Sequence, residues 1–91
     1  MNAISVYIGS KIEKIRFDQK ISQTDLAIKL KMVRSTIANI ESGRHGTQID
    51  RLFDIAIILN CSMSDLLPNI EWYKSYGNKK LRKVVTFEFE D

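Results

Sequence analysis

The sequence predicts an all-α domain of five helices over residues 1–69, followed by an extension, 70–91, that carries one β-strand. Three observations predict it. Ser22, Thr47 and Ser62 each stand three residues before an aspartate (Asp25, Asp50 and Asp65) and open an apolar run, the capping-box signature of a helix start. Within Ser22–Gly43, residues Leu26, Ala27, Leu30, Met32, Ile37 and Ile40 form one face only if the chain bends between Leu30 and Val33. Beyond Pro68 the period changes: Val85, Phe87 and Phe89 alternate with Thr86, Glu88 and Glu90, the two-residue repeat of a strand.

The elements follow in order. Helix one is expected over about 5–19, with Ile8, Ile12 and Ile15 on one face at spacings of four and three. The capping pairs place helices two, four and five at about 23–30, 48–59 and 63–67. Helix three, about 34–42, ends at Gly43, which suits a left-handed stop, and Asn60 does the same for helix four. Pro68 closes the helical part, because proline lacks an N–H and clashes with the preceding turn. In helix four the run Ile55-Ala56-Ile57-Ile58-Leu59 is apolar nearly all round, so it calls for cover on a second side. Either the extension's Trp72, Tyr73 and Tyr76 cover Ile57, or a second subunit does.

The chain has 91 residues and a formal charge of +3, enough for one small domain and permissive of nucleic-acid binding without establishing it. Lys79, Lys80, Arg82 and Lys83 cluster, while Glu88, Glu90 and Asp91 end the chain. A single cysteine, Cys61, excludes an internal disulfide and points to a reducing cytoplasm. No signal peptide and no membrane-spanning apolar run is legible. With one histidine, one cysteine, no glycine-rich phosphate loop and no acid pair at catalytic spacing, neither an enzyme nor a metal or cofactor site is expected.

Two short helices joined by a tight turn, the second with Arg34, Ser35, Thr36 and Asn39 outward, is a geometry that pushes a helix into a DNA groove. The pieces IGSKIEKIR, ISQTDLA, STIANIESG and LFDIAIILNCSMSDLL stand in the order and spacing of the Cro/CI-like, or xenobiotic-response-element (XRE), helix-turn-helix family. From about Ile8 to Leu67 the chain resembles that family of phage and bacterial regulators.

The resemblance implies a site on double-stranded DNA. Arg34, Ser35 and Asn39 stand where similar repressors place base-reading residues. An arginine suits guanine through two hydrogen bonds and an asparagine suits adenine, while Ser35 discriminates less. Ala38 is short enough to touch a thymine methyl or nothing. Gln23 is implied as a contact to the DNA backbone, and Thr24 opens the same helix end, where the dipole and free N–H groups favour phosphate. Lys31, Thr36, Ser42, Arg44, His45 and Thr47 are further phosphate candidates, a role that positions the protein and carries little sequence information. Arg16 and Glu41 are implied as a structural ion pair. The chain departs from the family at three places: Lys20 and Lys31 replace common glycines, and Val33 replaces the usual Ser or Thr cap.

A lone strand leaves its backbone groups unpaired, so Val85, Phe87 and Phe89 are expected to pair, by the simplest route with the same strand of a second copy. With Ile57 they form the expected dimer interface. The implied function is a sequence-specific DNA-binding regulator, a repressor acting as a homodimer on a palindromic operator. The alternative is an antitoxin-like protein whose tail grips a toxin or other protein partner and which autoregulates its operon.

Overall fold

The computed structural model describes residues 3–77, and among these every regular element is helical. They are α1 (Ala3–Asp18), α2 (Gln23–Leu30), α3 (Arg34–Ser42), α4 (Ile49–Leu59), α5 (Met63–Leu66) and α6 (Ile70–Trp72), which runs into one π-helical turn, Tyr73–Gly77. The expected strand with Val85, Phe87 and Phe89 lies outside the described residues.

Each of the first five helices drives a side chain into one core. Ile12, Leu26, Ile37, Ile55, Leu59 and Leu66 are all sealed from solvent, and full burial of such a side chain contributes about 1.5–3 kcal/mol. Leu30 and Met32, at the bend, pack against this core only half-buried. Helix α1 lies across α3, and α2 packs on both α3 and α4, so the two short helices sit on a platform made by α1 and α4. Gly9 permits the approach of α1 to α3, because a Cβ there would overlap the carbonyl oxygens of Ile40 and Glu41.

Four consecutive helices stop in the same way. Lys20, Lys31, Gly43 and Asn60 adopt left-handed φ values of 60°, 58°, 80° and 55°. In each case the next N–H reaches back five residues: Ile21 to Arg16, Met32 to Ala27, Arg44 to Asn39 and Cys61 to Ala56. This bond satisfies a carbonyl that the helix end would leave orphaned. The motif reverses the chain abruptly and keeps the loops short. Only Gly43 meets the geometry without a Cβ penalty.

The helix starts are less uniform than the capping pairs predict. Ser62 and Asp65 form the full reciprocal box, and the Ser22 hydroxyl accepts from the Asp25 N–H. Thr47 does not cap α4. The cap is Gln48, without a side-chain bond, and the Thr47 hydroxyl oxygen is shut off from solvent with no hydrogen-bond partner, at a recess that Thr47 shares with Ile4, Ile8 and Gly9 of α1. Pro68 ends α5, yet helix resumes at once, because the Asn69 side chain accepts from the Trp72 N–H at 2.7 Å.

Trp72, Tyr73 and Tyr76 do not cover Ile57 of α4. Trp72 packs on Tyr7 of α1 with ring centroids 4.9 Å apart, and Tyr76 packs on Trp72. Ile57 is left 74% exposed, in line with the exposed Phe53 and Ile49 one and two turns earlier. Of the two covers considered for Ile57, these aromatics are not the one.

Candidate nucleic-acid interface

The N-termini of α2 and α3 open side by side. Ser22 takes the Asp25 N–H and the Leu26 N–H bonds the Ser22 carbonyl, so Gln23 and Thr24 at the head of α2 precede the first intrahelical bond. Such N–H groups and the helix dipole attract phosphate. Val33 enters α3 in extended conformation with no side-chain cap, leaving Arg34 and Ser35 as its first, exposed residues.

Beneath them lies the Arg16–Glu41 pair. Arg16 is 5% and Glu41 6% exposed; Arg16 Nε donates to Glu41 Oε2 at 2.6 Å and Nη2 to Oε1 at 2.9 Å. Nη1 donates to the Ile21 carbonyl, which ties the α1–α2 turn into the same cluster. These bonds to Glu41 hold the Arg16 pKa above its ordinary value against the opposing effect of burial. The cluster reaches the surface through Gln23, whose Nε2 donates to Glu41 Oε1 at 2.9 Å while its Oε1 accepts from Arg34 Nη1 at 2.8 Å.

The site residues named from sequence do not all come together. Gln23, Thr24 and Arg34 line one concavity together with Arg16 and Lys20, and Ser35 stands exposed beside Arg34 on α3. Ala38, Asn39 and Thr36 are half-buried further along α3. At its last residue, Ser42 donates its hydroxyl to the Asn39 carbonyl and accepts from the Arg44 N–H, which shapes the loop carrying exposed Arg44 and His45. His45 and Thr47 border a separate recess against α1, lined by Ile4, Ser5 and Ile8. Lys31 lies elsewhere, in a recess with Asp54 and Ile57 of α4.

Two features were missed in the sequence. Lys20 shares the concavity with Arg34, and its signal was a cation three residues before the α2 start. The bond between Gln23 and Arg34 joins residues eleven apart, which only the tight turn brings together. Among the described residues no group of three or more His, Cys, Asp or Glu side chains is placed to hold a metal. No helix among them is long and apolar enough to cross a membrane.

The helix-turn-helix family profile matches residues 12–66, from the core residue Ile12 of α1 to Leu66 of α5. The chain belongs to the Cro/CI-like, or XRE-type, helix-turn-helix family. Helix-turn-helix domains of this family are DNA-binding modules of transcription regulators. No curated protein sequence matches it significantly. Among solved structures, the hydroxypropylphosphonic acid epoxidase of S. wedmorenis matches with a TM-score of 0.70 and 26% identity, over 75% of this chain and 36% of that one. The restriction-modification controller protein C.AhdI of Aeromonas hydrophila matches with a TM-score of 0.66 and 22% identity, over 69% of this chain and 91% of that one. This family member therefore spans little more than a third of the epoxidase, while it aligns with nearly all of the controller, a likeness of fold.

Proposed function

We propose that this protein is a sequence-specific repressor that occupies an approximately palindromic operator as a homodimer. The observation that carries the reading is the exposed pair Arg34 and Ser35 at the head of α3, beside the Gln23–Thr24 end of α2. A helix entering the major groove by its N-terminus presents its first residues to base edges, while the neighbouring helix start takes the phosphate. Arg34 reads a guanine, Asn39 an adenine, and Ser35 and Ala38 the pairs between. Gln23, Thr24, Lys31, Thr36, Ser42, Arg44 and His45 are assigned to the backbone, and Thr47, its hydroxyl shut off from solvent, is not.

The exposed stripe Ile49, Phe53 and Ile57 supports the dimer, since such a row on α4 loses its contact with water when a second copy covers it. Strand pairing through Val85, Phe87 and Phe89 completes the interface. Two recognition helices then reach successive major grooves about 34 Å apart.

A gel shift against the DNA upstream of the gene tests the reading. A salt-sensitive, sequence-dependent complex at sub-micromolar protein is expected, and its absence overturns it. Arg34→Ala weakens the specific complex by about 1–3 kcal/mol and relaxes preference at one base pair; an equal loss on random DNA refutes its assignment as a base reader. Deleting residues 81–91 separates the tail's role: a truncated chain that stays a tight dimer by light scattering removes strand pairing.

A further inference from the structure

We propose that the buried Arg16–Glu41 pair is a positioning device for base recognition, acting on Arg34 through the amide of Gln23. The proposal rests on the reading of Arg34 as a base contact and adds what sets its geometry.

The argument is one of donor and acceptor polarity. An ionised carboxylate only accepts hydrogen bonds, and a guanidinium only donates them. Glu41 already receives two N–H groups of Arg16, and its Oε1 also faces Gln23. The Gln23 amide must therefore turn its Nε2 inward. Its oxygen is then forced outward, where it meets the Nη1 of Arg34. The flipped amide would set oxygen against carboxylate and NH2 against guanidinium, two repulsive contacts at once. Glu41 is buried and locked, Gln23 is half-buried and Arg34 is exposed, so order passes from the core to the surface along a single chain of bonds.

The consequence is chemical as well as geometric. One of the five guanidinium N–H groups of Arg34 is held by Gln23, and the planar fork keeps other donors for a base. An arginine tethered before DNA arrives loses less rotamer freedom on binding. The relay also demands a donor at position 34. Glu41 and Arg16 thus govern preference at a base pair that neither touches.

The free protein is the first test. Side-chain 15N relaxation of the Arg34 guanidinium should show restricted motion in the wild type and release in Gln23→Met, a variant of similar length that leaves the Arg16–Glu41 pair intact. Glu41→Gln, which lets the Gln23 amide turn over, should release Arg34 too, with the backbone amide spectrum confirming that the fold persists. If Glu41→Gln does not fold, Gln23→Met carries the test alone. An Arg34 as mobile in the wild type as in Gln23→Met overturns the relay.

DNA binding is the second test, read as the ratio of affinity for selected over random sequences. Gln23→Met should lower affinity for all DNA and, in addition, cut that ratio roughly 5- to 10-fold, the low end of the loss expected for one base contact. Arg34→Met should cut the ratio as much, and the double variant no further. A Gln23→Met that loses affinity with its preference ratio intact is a phosphate contact alone, and overturns the proposal. An Arg34 ordered by Gln23 in a protein that shows no sequence preference upholds the relay and refutes the function proposed above.

Discussion

Gly9 of α1 and Ile40 of α3 meet backbone to backbone, with no space between them for a Cβ. The obstructing atoms are the carbonyl oxygens of Ile40 and Glu41, which cannot swing aside as a flexible side chain would. Gly9→Ala should therefore push α1 off α3, at a cost of about 1–3 kcal/mol or more, the range for overpacking a filled core. A domain of this size loses about 4–8 °C in Tm per kcal/mol, so thermal unfolding followed by circular dichroism reads it directly. An unchanged Tm contradicts the close approach.

Removing one member of the buried ion pair should cost more than removing both. Arg16→Met strands the Glu41 carboxylate in the core, which destabilises by about 3–5 kcal/mol. Arg16→Met with Glu41→Leu replaces both charges by apolar groups and should regain much of that loss in urea titration. A double variant no more stable than the single one would locate the pair's contribution elsewhere.

Lys20 should show opposite effects on stability and on DNA. Its φ of 60° carries a penalty for any side chain, and Lys20→Gly relieves it against the entropy glycine loses on folding, a net gain of up to about 1 kcal/mol. The same change removes a cation from the concavity that holds Gln23, Thr24 and Arg34. DNA affinity should fall for all sequences alike, with the salt slope reduced by about one phosphate. A more stable protein that binds DNA unchanged would exclude Lys20 from the interface.

Acid should loosen α5 through Asp65. The Ser62 N–H and the Ser62 hydroxyl hold its carboxyl below the 3.8 ordinary for an aspartate. A depressed pKa means stability that is present above the ordinary value and lost as pH falls through the lowered one. Asp65→Asn should therefore lower the urea midpoint near neutral pH, and the gap to the wild type should close as pH falls below 3.8. A gap that stays constant down the acid limb would show that Asp65 contributes no charge effect.

Much of the fold was legible because helix ends are local events. The cap at Ser22 and the stops at Lys31, Gly43 and Asn60 depend on residues within a turn of one another, and α2 and α3 run as the residues around them predict. The same local rule failed at Thr47, whose hydroxyl is buried without a partner beside α1 instead of capping α4. It was silent on α6, where Asn69 restarts helix after a proline. The placement of Trp72 on Tyr7 had no signal in either segment alone.

By itself the sequence determined the helix-turn-helix and its polar outer residues, since periodicity, caps and left-handed stops are written within a few residues. The tertiary structure alone decided which of those residues act together. Arg16, Gln23, Arg34 and Glu41 come from three helices, and their hydrogen bonds exist only once α1, α2 and α3 are packed. It also decided that Ile57 stays open to solvent while Trp72 covers α1. Contacts between distant segments depend on directions and distances that a linear pattern does not carry, and at this site those contacts set the chemistry.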